Sequence, residues 1–258
     1  MSLLRRLTVL VLAFAMISCQ AENAERSRPV GERVGIDEQQ PPEDQALGIE
    51  HGPPMEDEAV RAEHLLPLNE RTRTFRVIDG EQLDEHLPLA LRRTQDDEPG
   101  EWVLEFSDLN TLYLSVNPQG HVMLVRLDLP SDDMAVVYDP PVRLIPAEIR
   151  PHERIEEQGA VRVYDLHTGN LEHEGHVEHK VQFASRSRFA TDVGVWDGYL
   201  IPIEQDIDLP WADVQLELAG GYVPEVGIVY RRMYYTRTVA VFFGETRRRA
   251  AVLAEDPD

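Results

Sequence analysis

Residues 193–209 read VGVWDGYLIPIEQDIDL, and the second half of this stretch alternates between apolar and polar side chains. Ile201 and Ile203 share one parity, whereas Glu204 and Asp206 hold the other. Because successive side chains of a β-strand point to opposite faces, this pattern predicts a strand with one buried and one solvated face. Such strands are typical of antiparallel sheets, since parallel strands are usually apolar on both faces.

The neighbouring stretches continue the pattern and predict an antiparallel meander. They read VRVYDLHTG (161–169), LEHEGHVEHKVQF (171–183) and ADVQLELAGGYVPEVGIVYRR (212–232). Pro202 interrupts the central strand of this meander. Since proline has no N–H for the hydrogen-bond ladder, we expect an edge or a bulge at this residue.

The chain before the meander also predicts β structure. Residues 112–127 predict a hairpin, because proline and glycine in Asn117–Gly120 suit a type I turn. The sequence PPVRLIP at 140–146 predicts an extended segment that lies at a sheet edge or forms a strap, since its prolines interrupt a ladder. Residues 247–249 and the acidic end after them are expected to form a short helix. The predicted fold class is therefore mainly β: a curved antiparallel sheet or half-barrel with a minor helix.

Bulk composition limits the possible partners. The chain has 258 residues with 47 acidic and 25 basic side chains, which gives a formal net charge of −22. Binding to nucleic acid relies on clustered Lys and Arg, so we expect no nucleic-acid partner. Cys19 is the sole cysteine, so no intramolecular disulfide can form. The hydrophobic core alone must hold the fold together.

The first nineteen residues read MSLLRRLTVLVLAFAMISC, a basic start followed by a short apolar run. That run is too short to cross a bilayer, which takes about 20 residues. Its ending, residues 16–19, resembles the lipobox of bacterial lipoproteins, although Met16 and Ile17 depart from its commonest residues. The resemblance implies a signal peptide at 1–18 and acyl chains on Cys19. An ordinary secretory signal cleaved near Ala21 is the alternative.

Residues 19–63 predict a disordered, lipidated tether. The segment after Cys19 is rich in acidic residues, Gln, Pro and Gly and has no aromatic residue, so it offers little apolar surface to offset chain entropy. Two acyl chains suffice for stable anchoring. Gln20 stands where inner-membrane lipoproteins typically carry Asp, so the resemblance implies an outer-membrane location facing the periplasm. The β domain is predicted at 64–258.

The densest ionisable cluster lies between His167 and His179. Imidazole and carboxylate side chains bind zinc or copper well, and this is the case for a metal-dependent hydrolase. Strand parity argues against it, because His173 and His179 share one face while His176 points to the other. We therefore predict no metal site, no cofactor and no catalytic residue.

Aromatic residues concentrate in the last third of the chain. They either pack the core or line an apolar groove, for which the candidate residues are Trp196, Tyr199, Trp211, Tyr222 and Tyr230. The runs VGVWDGYLIPIE and GGYVPEVGIVYRR resemble a pattern found in bacterial envelope proteins of LolA/LolB-like half-barrel fold. Glu225 and Asp197 depart from that pattern. The resemblance implies a curved sheet that can hold lipid or acyl chains.

These observations predict a membrane-anchored envelope lipoprotein without enzymatic activity. Its sheet is expected to bind an apolar ligand, such as a lipid, or a partner protein of the envelope. A deep apolar cavity would favour the ligand, and a filled core would favour the partner. A metal-dependent envelope hydrolase using the region from His167 to His179 is the alternative.

Overall fold

The computed structural model describes residues 47–54, 59–107, 109–150, 153–182, 184–239 and 243–255. The predicted signal peptide, the lipidation site Cys19 and the predicted tether up to residue 46 lie outside the described residues. None of the described helices is long and apolar enough to span a membrane.

Strands dominate the described chain. The elements are β1 (Ile49–Pro54), β2 (Val60–Arg61), α1 (Ala62–Leu65), β3 (Arg71–Gly80), β4 (His86–Arg93), β5 (Trp102–Phe106), β6 (Asn110–Val116), β7 (Val122–Leu129), a 3₁₀ turn (Pro130–Asp132), β8 (Met134–Ile145), β9 (Glu148–Ile149), β10 (Ile155–Asp165), β11 (Leu171–Val181), β12 (Ser185–Thr191), β13 (Gly194–Asp208), β14 (Ala212–Val223), β15 (Gly227–Val239) and β16 (Phe243–Glu255). The predicted meander corresponds to β10, β11, β13, β14 and the start of β15, with β12 inserted between β11 and β13.

Twelve of these strands close into an antiparallel barrel. Their order is β13-β11-β10-β8-β7-β6-β5-β4-β3-β16-β15-β14, and β14 pairs back onto β13. The prediction of a mainly β fold with a curved antiparallel sheet is confirmed, and the sheet curves far enough to close. Closure pairs each of the twelve strands on both sides, which removes the exposed edges of an open sheet.

Strand β13 changes partner at Pro202. Residues 194–200 pair with β12, whereas residues 203–208 pair with β11. Pro202 lies between the two ladders, where no N–H is needed, and its carbonyl accepts a hydrogen bond of 2.9 Å from the backbone N–H of Gln182. The interruption predicted at Pro202 is thus the branch point of the sheet.

Beyond this branch point, β1, β12 and residues 194–200 form a three-stranded flap. The flap packs on the outside of the barrel, where Phe189 stacks on Tyr230 with ring centroids 5.9 Å apart. Gly221 lies beneath this pair, and a Cβ there would come within 2.6 Å of the Phe189 ring. A larger residue than glycine would therefore push the flap off the barrel.

The end of β12 is fastened to the barrel by polar contacts. The Arg76 guanidinium donates two hydrogen bonds of 2.7 Å to the Asp192 carboxylate. The Asp192 backbone N–H also donates to the carbonyl of Leu253 at 3.1 Å. Bidentate pairing fixes geometry as well as adding energy, so these bonds set the position of the flap.

Helix α1 and the residue that follows it cover the barrel end near the β14–β15 turn. Leu65 and Leu66 are 0% and 1% exposed, and Leu66 lies against inward-facing side chains of the barrel wall. The Glu225 backbone N–H donates to the His64 carbonyl at 2.8 Å. One contiguous hydrophobic cluster fills the described interior of the domain.

Two predictions from the sequence are wrong. The folded part begins before residue 64, because Ile49 in β1 is 1% exposed and pairs with Phe189. Residues 247–249 belong to β16 rather than to a helix, because they pair with β15. By contrast, residues 140–145 lie in β8 as an extended segment, where the pairing of β8 with β10 ends at Asp139 and the ladder with β7 skips residues 138–141.

Candidate functional site

The aromatic residues predicted to line a ligand groove do not share one site. Tyr222 and Tyr230 are 6% and 0% exposed and belong to the hydrophobic core. Trp196 packs against that core from the flap, and its indole N–H donates to Thr191 Oγ1 at 3.1 Å. Trp211 follows β13 and contacts the His173 ring at 5.1 Å between centroids. Only Tyr199 among the five lines an open groove.

The histidines of the predicted cluster point in different directions. His167 and His176 are exposed, whereas His173 is partly buried and His179 is 0% exposed. Among the described residues, no three His, Cys, Asp or Glu side chains are placed to hold a metal ion together. The parity separating His176 from His179 is observed, since His179 pairs with Gln205 on the buried face.

His179 belongs to a buried hydrogen-bonded chain. The Tyr138 hydroxyl donates to Gln205 Oε1 at 2.9 Å, and Gln205 Nε2 donates to His179 Nδ1 at 3.0 Å. The remaining ring nitrogen, Nε2, donates to the backbone carbonyl of Arg143 at 2.5 Å. These donors and acceptors match a neutral imidazole that carries its proton on Nε2.

The hydrogen bonds among Tyr138, Gln205 and His179 form a buried network within the core. Its three side chains are at most 2% exposed. Burial raises the pKa of Tyr138 and lowers the pKa of His179, against the weaker effect of the bond to Arg143. Both side chains therefore stay neutral at neutral pH. Arg143 is held in turn by Glu157, which accepts a hydrogen bond of 2.7 Å from its Nε.

Sequence reasoning missed this network. Gln205 shares the parity of Ile203 and Ile207, so a polar residue stands on the apolar face of β13. Such a residue signals a buried hydrogen-bonded group, because an unpaired amide is costly in a core.

The lowered pKa of His179 gives a prediction about pH. Below about pH 6.5, the unfolded chain takes up a proton that folded His179 binds less readily. The free energy of unfolding therefore decreases as the pH is lowered. One such group contributes at most about 1.4 kcal/mol per pH unit. Denaturant titrations between pH 5 and 7 give the free energy of unfolding at each pH. Its change per pH unit should be smaller for His179→Gln than for the unchanged protein. The exposed control His176→Gln should keep the full pH dependence of the unfolding free energy. An equal pH dependence in the two variants would contradict a neutral buried His179.

A wide groove crosses the outward-facing side of the flap. Its volume is about 530 Å³, and it opens widely to solvent. The lining residues are Glu50, Gly52, Arg186, Ser187, Arg188, Asp197, Gly198, Tyr199 and Pro224. We call this surface the flap groove. All three strands of the flap and the β14–β15 turn contribute to it.

Charged side chains form a row across the flap groove. Arg188 stands opposite Glu50 on one neighbouring strand and Asp197 on the other. Arg188 Nε donates to Asp197 at 2.9 Å, and Glu50 lies 3.8 Å from the same guanidinium. The hydrogen bond to Asp197 raises the pKa of Arg188, and the charges of Asp197 and Glu50 add to this. The groove therefore presents ordered charges of both signs.

The flap also carries an open sheet edge. Within the described part of the chain, no strand pairs with the outer edge of β1. Open edges can accept a further strand from another chain. Pro53 and Pro54 lack N–H groups, so they can accept hydrogen bonds from a further strand but cannot donate them.

No known protein family matches this chain, and neither a curated protein nor a solved structure is significantly similar to it.

Proposed function

We propose that the protein is a lipid-anchored envelope protein without enzymatic activity that binds an extended segment of a partner protein in the flap groove. The flap groove is the observation that supports this proposal. It has a volume of about 530 Å³, contains a row of charged side chains and lies beside the open edge of β1. An extended segment can pair with such an edge through its backbone while its side chains contact the groove.

The charges of the flap groove favour a polar partner. Arg186 and Arg188 lie beside Glu50 and Asp197, so a bound segment should carry both acidic and basic side chains. An apolar ligand has less support, since Tyr222 and Tyr230 are buried in the core and Trp196 and Trp211 do not line the groove. The lipobox resemblance at residues 16–19 supports anchoring through Cys19, which would hold the groove near the membrane surface.

Site-specific photo-crosslinking in a double-membraned bacterium tests this proposal. A photoreactive residue at position 186 should capture one discrete partner, whereas the same residue at Asp213, exposed on β14, should not. Capture at position 186 should also weaken in a Cys19→Ala variant, which leaves the membrane fraction. Identical capture at both positions, or none at 186, would contradict the proposed site.

A charge swap separates recognition from stability. The double variant Arg188→Glu with Asp197→Arg retains an ion pair across the two strands but inverts the charge pattern of the groove. Because these side chains are exposed, we expect the urea midpoint of unfolding to change little. Capture at position 186 should nevertheless be lost. Unchanged capture would show that the partner does not read these charges.

A further inference from the structure

A largely buried arginine, Arg231, lies on the inward face of the barrel wall, away from the flap groove. Arg231 pairs with Ala251 and shares the inward face of β15 with Met233. Its Nη2 donates to Asn110 Oδ1 at 2.7 Å, and its guanidinium lies over the Phe106 ring, 5.1 Å from the centroid. Its Nη1 is shielded from solvent and has no hydrogen-bond partner among the described residues.

No carboxylate of the described residues balances the charge of Arg231. Among the described residues, no Asp or Glu oxygen lies within 4.0 Å of its nitrogens, unlike the paired arginines elsewhere in the domain. Burial lowers its pKa to about 10, and the positive charge of Arg249 contributes to this. Arg231 therefore remains protonated at neutral pH. A buried, unbalanced charge is costly, so a counter-ion would stabilise it.

The space beside Arg231 has the size of a single small particle. A cavity of about 10 Å³ is lined by Phe106, Leu109, Asn110, Arg231, Met233, Arg249 and Ala251. That volume is close to what one water needs, so the cavity has room for one small particle. A second cavity of about 60 Å³ shares three of these residues and extends to Glu81 and Ser131.

We propose that this cavity binds a small monovalent anion of chloride size, held by Nη1 of Arg231 and by the positive charge of Arg249. Nη1 supplies a donor that has no acceptor among the described residues. Phe106, Leu109 and Met233 form the apolar part of the cavity wall, and an apolar surrounding strengthens the attraction between ion and guanidinium. The site lies inside the barrel, so it does not depend on the partner proposed for the flap groove.

Chloride-35 NMR of the full-length chain tests the site. The protein should broaden the chloride line beyond what exposed arginines cause, and excess bromide should reverse the broadening. Arg231→Met keeps an apolar stem but removes the charge, so the excess broadening should be lost. Arg232→Met makes the same change one residue away, on the opposite face of β15, and should retain it. Equal broadening in the two variants would overturn the proposal.

Crystals of the unchanged protein grown in bromide keep the test valid if Arg231→Met does not fold. An anomalous peak within hydrogen-bond distance of Arg231 Nη1 is expected. A water at that position with no anomalous signal, or density for an elongated organic carboxylate, would overturn the assignment to a small anion.

Discussion

Replacing Gln205 by leucine is expected to lower the free energy of unfolding by about 2–5 kcal/mol. The substitution keeps the size of the side chain but removes both of its hydrogen bonds. The Tyr138 hydroxyl then loses its acceptor and Nδ1 of His179 loses its donor, although both remain buried. Each buried polar group left unpaired costs about 1–3 kcal/mol. Urea unfolding at pH 7 measures this loss.

Two further variants separate the network from the simple loss of a glutamine. Gln215→Leu makes the same change at an exposed position of β14 and should alter stability by less than about 0.5 kcal/mol. Tyr138→Phe removes one hydroxyl and leaves only the Gln205 oxygen without its donor. Its loss of unfolding free energy should therefore be smaller than that of Gln205→Leu. A Gln205→Leu protein as stable as the Gln215→Leu protein would mean that the buried chain does not hold the barrel wall together.

Local periodicity was sufficient to predict the strands but not their closure. The alternation around Ile201 and Ile203 is visible within ten residues, and burial in β13 follows it. Closure depends on pairs such as Phe75 with Leu253, which stand far apart in the sequence. No short-range pattern encodes that pairing. The sequence therefore predicted a curved sheet and left open how far it curves.

The candidate sites were harder to predict because their residues are far apart in the sequence and meet only through the pairing of strands. His179 meets Gln205 through the register of β11 on β13, and Tyr138 reaches Gln205 across the interior. Ile49 was placed in a tether because its neighbours are polar, yet backbone pairing with β12 brings it into the core. Aromatic residues were taken as a ligand site from composition, but composition does not show which face of a strand is covered.

Asp132 should be much more important for stability than Glu245, although both carboxylates pair with the same two arginines. Asp132 lies 3.1 Å from Arg247 and 3.5 Å from Arg237, and its side chain is 5% exposed. Glu245 lies 2.7 Å and 3.2 Å from the same guanidiniums, but its side chain is 40% exposed. Solvent screens the second carboxylate and not the first.

We expect Asp132→Asn to lower the free energy of unfolding by about 2–3 kcal/mol, because it leaves two partly buried cations with one exposed partner. Glu245→Gln should cost about 0–1 kcal/mol, the range of exposed ion pairs. Urea unfolding of both variants at low and at high salt separates the two contributions. The cost of Glu245→Gln should shrink in high salt, whereas that of Asp132→Asn should largely persist. Equal costs for the two variants would mean that the 3₁₀ turn carrying Asp132 does not fasten this end of the barrel.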